Sequence, residues 1–245
     1  MKNLFKIHPI TYFILLSVLL TGYFNYFLII SLILIIHDLG HIIMFKMLNY
    51  KIKEIFILPF GSIIKSNINL ANKTLDIFLI SIAGIFFQIL LFPIMNIFNN
   101  LFVNDISYNI FLNYNKIIIL FNLLPIIPLD GSKIMLCILE SIISYKTALK
   151  MINIISAILI ILLIICTTYY GINSIIIITF LIYKTINEII NHKYIFNKFL
   201  LERLLIKNNK KKIKYIKHLK NIFKNKYNFI NNQGETKVLK SLFMP

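Results

Sequence analysis

The chain has 245 residues, of which 58% are hydrophobic and 14% charged, and its formal net charge is +17. This composition excludes an ordinary soluble domain and is typical of a protein with several membrane spans. Nucleic-acid binding is excluded as well, because the lysines cluster between apolar runs and after the last one, as in cytoplasmic loops. The sequence also contains no segment that reads as a folded basic domain. The partner that the composition predicts is the lipid bilayer.

Apolar runs of about 20 residues, the length that a helix needs to cross a membrane, occur six times. They lie near 9–24, 26–48, 75–97, 108–128, 149–168 and 172–190. The first run has the basic start and apolar core of a signal peptide, but no small-residue cleavage site follows, so we interpret it as a retained span. The pattern predicts an all-α polytopic membrane protein with about six transmembrane helices.

The distribution of cations predicts the orientation of these spans. With both termini in the cytoplasm, the inner segments are 1–8, 49–74, 129–148 and 191–245, and almost every lysine and arginine lies in them or at their membrane edge. Lys116 is the clear exception. The abundance of lysine, isoleucine and asparagine is typical of an AT-rich bacterial genome, so we expect a multi-pass protein of a bacterial cell membrane.

Two segments do not fit a membrane span. Segment 51–70 alternates apolar residues around Pro59 and Gly61, which favours a strand or hairpin at the membrane surface; an ordinary loop is the alternative. Residues 193–245 form a basic stretch after the six-span domain of residues 1–192. Within it, 196–205 has the rhythm of an amphipathic helix on the inner membrane surface, and the rest is predicted to be a cytoplasmic tail near anionic lipid.

The stretch IIHDLGHIIMF, residues 35–45, places ionisable groups inside an apolar span. His37 and His41 are four residues apart, so a helix brings both imidazoles to one face. HExxH helices hold one zinc ion with this spacing, and the residue after the first histidine, here Asp38, is then the general base. A pair of structural histidines is the alternative, although ionisable residues within a span usually mark function. Gly40 leaves room for a neighbouring helix.

A zinc site of this kind needs a third protein ligand. Asp130 is the best candidate, because it lies in NLLPIIPLDGSK, residues 122–133, where two prolines and a glycine break the helix and let the carboxylate turn inward. Irregular backbone at membrane depth is tolerated where it lines a cavity. A proline-ended helix followed by a turn is the alternative. The other acids within or beside the predicted spans are Asp76, Glu140 and Glu188.

The two motifs together resemble those of the site-2 protease family of intramembrane zinc proteases. That family carries HExxH on one core helix and an aspartate in an N-x-x-P-x-x-P-x-D-G-like segment on another. LPFGS (58–62) is similar to its glycine-containing membrane-associated strand, and SIAGIFFQ (81–88) to its AGP-x-x-N element. The six-span layout and FLLERLL (199–205) most resemble the branch of the stage IV sporulation protein FB. The resemblance covers roughly residues 1–205.

This resemblance implies that His37, His41 and Asp130 hold zinc and that Asp38 is the catalytic base. It also implies that Asn122 and Pro125 help to hold an extended substrate. The substrate would be a membrane-associated protein, such as a pro-sigma factor during sporulation, with regulatory membrane proteins as further partners. The corresponding location would be the membrane around the forespore.

The sequence departs from the family pattern in three ways. Asp38 replaces a glutamate and is shorter by one methylene, about 1.5 Å of reach, where a misplacement of about 1 Å can cost a hundredfold in rate. Ile85 and Gln88 replace the family's proline and asparagine. The tail is too short for the CBS domain common in the sporulation branch. A catalytically weak zinc-binding adaptor is therefore a second hypothesis, and a transporter or channel with a metal-dependent gate is a third, although no internal repeat is visible.

Overall fold

The computed structural model describes residues 5–7, 9–58, 61–101, 104–170, 175–205 and 212–244. The chain is mostly helical, with two small three-stranded sheets. The helices are α1 Pro9–Thr21, α2 Phe24–Met47, α3 Thr74–Leu101, α4 Asp105–Leu123, α5 Asp130–Ile142, α6 Tyr145–Tyr170, α7 Ile175–Ile190, α8 His192–Leu205 and α9 Glu235–Phe243. The strands are β1 Phe5–Ile7, β2 Ile52–Leu58, β3 Gly61–Ser66, β4 Ile213–Ile216, β5 Tyr227–Ile230 and β6 Gln233–Gly234.

Three helices in the described part of the chain are long and apolar enough to cross a membrane: Phe24–Met47, Thr74–Phe98 and Tyr145–Ile165. They coincide with the predicted spans at 26–48, 75–97 and 149–168. Helices also form at the other three predicted spans, but α1 has 13 residues and α7 has 16, and α4 carries Asp105 and Lys116. The chain is therefore a membrane protein by helix length and composition, and the count of six spans stays a prediction.

One compact unit comprises Met1–Ile68 and Leu79–Asn122. Its sheet has the order β1-β2-β3, with β1 parallel and β3 antiparallel to β2. The hairpin predicted within 51–70 is thus confirmed as β2 and β3, although Pro59 and Phe60 at its tip lie outside the described residues. Strand β1 was not predicted; an ion pair between Lys6 and Glu54 of β2 accompanies its pairing.

The second unit comprises Asn69–Phe78 and Leu123–Pro245. Its core contains stacked aromatic rings: the centroids of Tyr145 and Phe199 are 3.9 Å apart. Ile222 and Leu239 of the C-terminal segment are buried in the same cluster. Helix α8 forms as expected at 196–205, but its residues Phe196, Phe199, Leu200 and Arg203 are buried within the protein. Protein thus covers the helix face that the sequence assigns to the membrane surface.

Residues 212–244, read from the sequence as a basic tail, are folded. Strand β4 pairs parallel to β5, β5 pairs antiparallel to β6, and α9 follows. Charged side chains are buried here in pairs: Arg203 Nη2 lies 2.9 Å from Glu235 Oε2, and Lys224 Nζ lies 2.9 Å from Glu140 Oε2. Buried charges need such partners. The segment 207–211, with three lysines, lies outside the described residues.

Candidate metal centre

Helix α2 brings His37 and His41 together as their spacing predicts. Both side chains are buried, and their Nε2 atoms are 3.0 Å apart. Two nitrogen ligands of a tetrahedral zinc ion are about 3.3 Å apart, given zinc–nitrogen bonds of about 2.0–2.1 Å. The distance between the two Nε2 atoms is therefore close to that expected for two ligands of one zinc ion.

The other nitrogen of each ring contacts an acceptor on α3. His37 Nδ1 lies 2.9 Å from Gln88 Oε1, and His41 Nδ1 lies 2.7 Å from the carbonyl oxygen of Ile80. Each Nδ1 must donate to its oxygen, so each neutral ring presents a lone pair at Nε2. Two lone pairs that face each other at 3.0 Å repel unless a cation or proton lies between them. The donor set therefore fits a metal ion, and the hydrogen bonds to α3 orient the ligands as in known zinc sites.

Gln88 is itself held in place by α4. Its Nε2 lies 3.4 Å from Asn115 Oδ1, and Asn115 Nδ2 donates to the backbone oxygen of Gln88 at 3.1 Å. Both side chains are fully buried. A chain of amide contacts thus runs from α4 through α3 to His37.

Two glycines make the close approach of α2 and α3 possible. A Cβ added to Gly40 would lie 2.6 Å from the carbonyl oxygen of Ala83, which confirms the expectation that Gly40 admits a neighbouring helix. A Cβ added to Gly84 would lie 2.7 Å from His37 Cε1 and from His41 Nε2. Only a residue without a side chain at position 84 leaves room for both imidazoles.

Asp130 is the first residue of α5 and is buried. Lys133 Nζ lies 2.8 Å from its Oδ1, and the Ser132 hydroxyl donates to the carbonyl oxygen of Leu129 at 2.7 Å. A Cβ on Gly131 would collide with the backbone of Leu123 and Leu124, so this glycine allows the chain to fold back tightly before α5. The predicted break in the helix is present, and it gives Asp130 a fixed orientation.

The irregular segment before Asp130 is held by α6 and α7. Ser156 Oγ accepts from the backbone N–H of Ile127 and donates to the carbonyl oxygen of Pro125, both at 3.2 Å. Thr185 Oγ1 donates to the carbonyl oxygen of Ile127 at 3.3 Å. Backbone groups that no helix can satisfy here therefore find side-chain partners, as the apolar surroundings require.

His37, His41 and Asp130 lie close together. One ligand atom of each, a ring nitrogen or a carboxylate oxygen, lies within 4.8 Å of the other two, and all three side chains are buried. The other candidate acids are not in this group: Glu140 pairs with Lys224, Asp76 is in the first turn of α3, and Glu188 is on α7. Among the described residues, Asp130 is therefore the candidate acid that lies beside the two histidines, and it is the one that the sequence analysis preferred.

The structure also describes the three other predicted site residues, Asp38, Asn122 and Pro125. Asp38 is half-buried, and its carboxylate lies near both histidines and near Ser62 of β3. Asn122 is half-buried in the last turn of α4, and Pro125 is half-buried in the segment before α5. Their roles as base and as substrate contacts stay predictions.

The sequence analysis does not predict the residues that orient the two histidines. Gln88 departs from the AGP-x-x-N pattern, yet its amide oxygen contacts His37. The presence of Gly84 and Gln88 in one AG-x-x-x-Q element was the signal that could have identified both. The Ile80 backbone carbonyl has no signal in the sequence, because every residue carries one.

No family model matches the chain. The chain is 30% identical over 207 residues to the stage IV sporulation protein FB of Bacillus subtilis (strain 168), a match that covers 82% of this chain and 72% of that protein. The solved structure of the site-2 protease from Methanocaldococcus jannaschii has the same fold, with a TM-score of 0.58 and 24% identity, over 75% of this chain and 89% of that one. The chain belongs to the site-2 protease family of intramembrane metalloproteases, near the stage IV sporulation protein FB.

Proposed function

We propose that this protein is an active zinc endopeptidase that cleaves a membrane-associated protein, with a pro-sigma factor as the candidate substrate. The observation that carries the proposal is the buried group of His37, His41 and Asp130, with the Nδ1 atoms of both rings already engaged. His37 and His41 would ligate through Nε2, and Asp130 through a carboxylate oxygen. When bound, zinc lowers the pKa of water toward neutrality and polarises a carbonyl group.

Asp38 is proposed to be the general base. It follows His37 directly and interacts with both histidines, so its carboxylate is near the ligand cluster. In this role Asp38 accepts a proton from the attacking water and later delivers it to the leaving amine. Ser62 at the start of β3 lies near the same carboxylate and would help to fix its direction. Such support would compensate for a side chain one methylene shorter than glutamate.

The test of this role compares the parent with Asp38→Glu, Asp38→Asn and His41→Ala, each purified in detergent with a candidate substrate. We expect cleavage by the parent and by Asp38→Glu, and at least a hundredfold loss in Asp38→Asn with zinc still bound. His41→Ala should lose both zinc and cleavage. Cleavage by Asp38→Asn at the parent's rate would rule out Asp38 as the base.

The substrate is proposed to bind as an extended segment. In the described part of the chain β3 pairs only with β2, so its outer edge is available for a further strand, and its Ser62 lies beside Asp38. Asn122 and Pro125 would hold the same segment on the way to the centre. Alanine substitution of Asn122 should then raise KM more than it lowers kcat, because this residue contacts substrate and not the reacting atoms.

The relative named for stage IV sporulation suggests the substrate class. Co-expression with candidate pro-sigma factors, scored for a size shift that disappears in His41→Ala, tests it. Regulatory membrane proteins and a location in the membrane around the forespore belong to the same proposal. The alternative is a zinc-binding adaptor that holds a client without cutting it, favoured by Asp38 in place of glutamate. Stoichiometric zinc with no turnover on any substrate that the parent binds would support the adaptor.

A further inference from the structure

A cleft in the second unit lies beside the start of α6, the end of α7 and the start of α8. Its volume is about 490 Å³. Lys146 and Lys150 of α6 and His192, the first residue of α8, line it together with Asn153. On a helix, residues 146, 150 and 153 share one face. Three basic residues thus border a single concavity, whose wall is largely apolar.

Among the described residues, the basic groups of the cleft have no acidic partner. Within the described residues, no ion pair joins Lys146 or Lys150 to a carboxylate; Lys146 Nζ lies 5.3 Å from the centroid of the Phe196 ring. Burial, followed by the charges of Lys146 and Lys150, holds the pKa of His192 below its ordinary value. The local potential is therefore positive and favours an anion.

Asn153 gives a second, independent indication of a ligand. Its residue is 7% exposed, its Oδ1 is buried, and among the described residues no donor reaches that atom. A buried amide oxygen without a partner destabilises the protein, and a ligand hydroxyl would relieve that cost. The ligand that fits has a negative charge for the lysines and a hydroxyl donor for Asn153.

The deeper part of the cleft is apolar and follows a membrane span. Ile154 and Ala157 of α6 and Ile189 of α7 line it. The span Tyr145–Ile165 starts one residue before Lys146, and position 157 lies about 16 Å further along the helix axis. The cleft therefore runs from the expected depth of lipid headgroups into that of acyl chains.

We propose that this cleft binds an anionic phospholipid with a hydroxylated headgroup, of the phosphatidylglycerol class. Lys146, Lys150 and His192 contact the phosphate, Asn153 accepts from a headgroup hydroxyl, and the apolar wall receives an acyl chain. The site lies outside the metal centre and goes beyond the proposed proteolysis. A bound lipid at this point would join α6, α7 and α8 at one edge of the membrane.

The test titrates the full chain in detergent with phosphatidylglycerol, phosphatidylcholine or glycerol 3-phosphate, and counts bound molecules by native mass spectrometry. We expect phosphatidylglycerol to bind in preference to the other two. Lys146→Gln/Lys150→Gln should weaken its binding about 25-fold, roughly fivefold for each lysine. The control Lys237→Gln/Lys240→Gln removes two exposed charges from α9 and should leave binding unchanged.

Two outcomes would overturn the proposal. Equal weakening by the α6 and α9 variants would mean general attraction between charges, and glycerol 3-phosphate binding as tightly as the lipid would mean a site for a soluble phosphate. Asn153→Leu keeps every charge and serves as a second variant if the lysine variant does not fold. It should reduce the preference for phosphatidylglycerol over phosphatidic acid, which lacks the headgroup hydroxyls; an unchanged preference would count against the site.

Discussion

At the scale of single residues, the contact between His37 Nδ1 and Gln88 Oε1 decides which ring nitrogen faces the metal centre. We predict that Gln88→Leu weakens zinc binding by 10–100-fold, the usual loss when a partner of a histidine ligand is removed. Gln88→Glu keeps an acceptor and should retain most of the affinity. Competition with a chromophoric chelator measures both variants.

Comparison of the two Gln88 variants distinguishes the effect of the hydrogen bond to His37 from the effect of side-chain packing. Gln88 is fully buried, so leucine fills nearly the same space but cannot accept the proton of Nδ1. If Gln88→Leu and Gln88→Glu lose equal affinity, the contribution of Gln88 is its packing beside Asn115, and the hydrogen bond to His37 is not what holds the ring.

Cys137 provides a prediction with a pH dependence. Burial, and next the charge of Glu140, raise the pKa of its thiol to about 12. At pH 8 roughly one molecule in ten thousand is then the reactive thiolate, against about one in ten for a thiol with an ordinary pKa near 9. We expect maleimide labelling of a Cys166→Ser variant to rise tenfold per pH unit from 7 to 10 without levelling off. The urea-unfolded chain is the control and should level off near pH 9; the same inflection in the folded protein would contradict the prediction.

At the scale of elements, α5 connects the metal centre to the C-terminal segment. It begins at Asp130, and ten residues later Glu140 is buried against Lys224, with Thr74 Oγ1 donating to the same carboxylate at 3.2 Å. Lys224→Met removes the cation that lies 2.9 Å from the buried Glu140 carboxylate and should cost about 3–5 kcal/mol of stability. Unfolding of the detergent-solubilised protein by denaturant measures this loss.

The double variant Lys224→Met/Glu140→Leu tests the cause of that loss. Because it removes both buried charges, we expect it to recover most of the parent's stability, since well-packed apolar residues often replace a buried pair at little cost. Lys220→Met, at an exposed position, is the matched control and should change stability by less than about 0.5 kcal/mol. A double variant as unstable as Lys224→Met alone would show that the ion pair is not the reason.

These elements also show where sequence reasoning succeeds and where it fails. The spacing of His37 and His41 and the broken helix before Asp130 are local patterns, and both formed as predicted. Gln88 lies 51 residues from His37, and single-sequence patterns do not report such pairings. The fold of 212–244 was not predicted for a related reason: Arg203 and Lys224 are buried only by pairing with Glu235 and Glu140, which are distant in sequence.

At the scale of the whole molecule, contacts within the second unit bear on the number of spans. The backbone N–H of Tyr145, where α6 begins, donates to the carbonyl oxygen of Ile222 at 3.0 Å, and its ring stacks on Phe199 of α8. Both ends of the chain segment 145–199 are therefore on one side of the membrane. If α6 crosses the bilayer, the chain must cross back before α8, and α7 is the only helix between them in the described residues.

We therefore predict that α7 spans the membrane and that the C-terminus lies in the cytoplasm, with the segments 49–74 and 129–148. A green fluorescent protein fused after residue 245 should fluoresce, and alkaline phosphatase fused there should be inactive. Alkaline phosphatase inserted after residue 171, between α6 and α7, should be active because this connection would be outside. The insertion after residue 143, before α6, is the matched control and should be inactive. If only the three longest helices crossed the membrane, residues 143 and 245 would be on opposite sides, so activity at one of these two positions alone would refute the six-span arrangement.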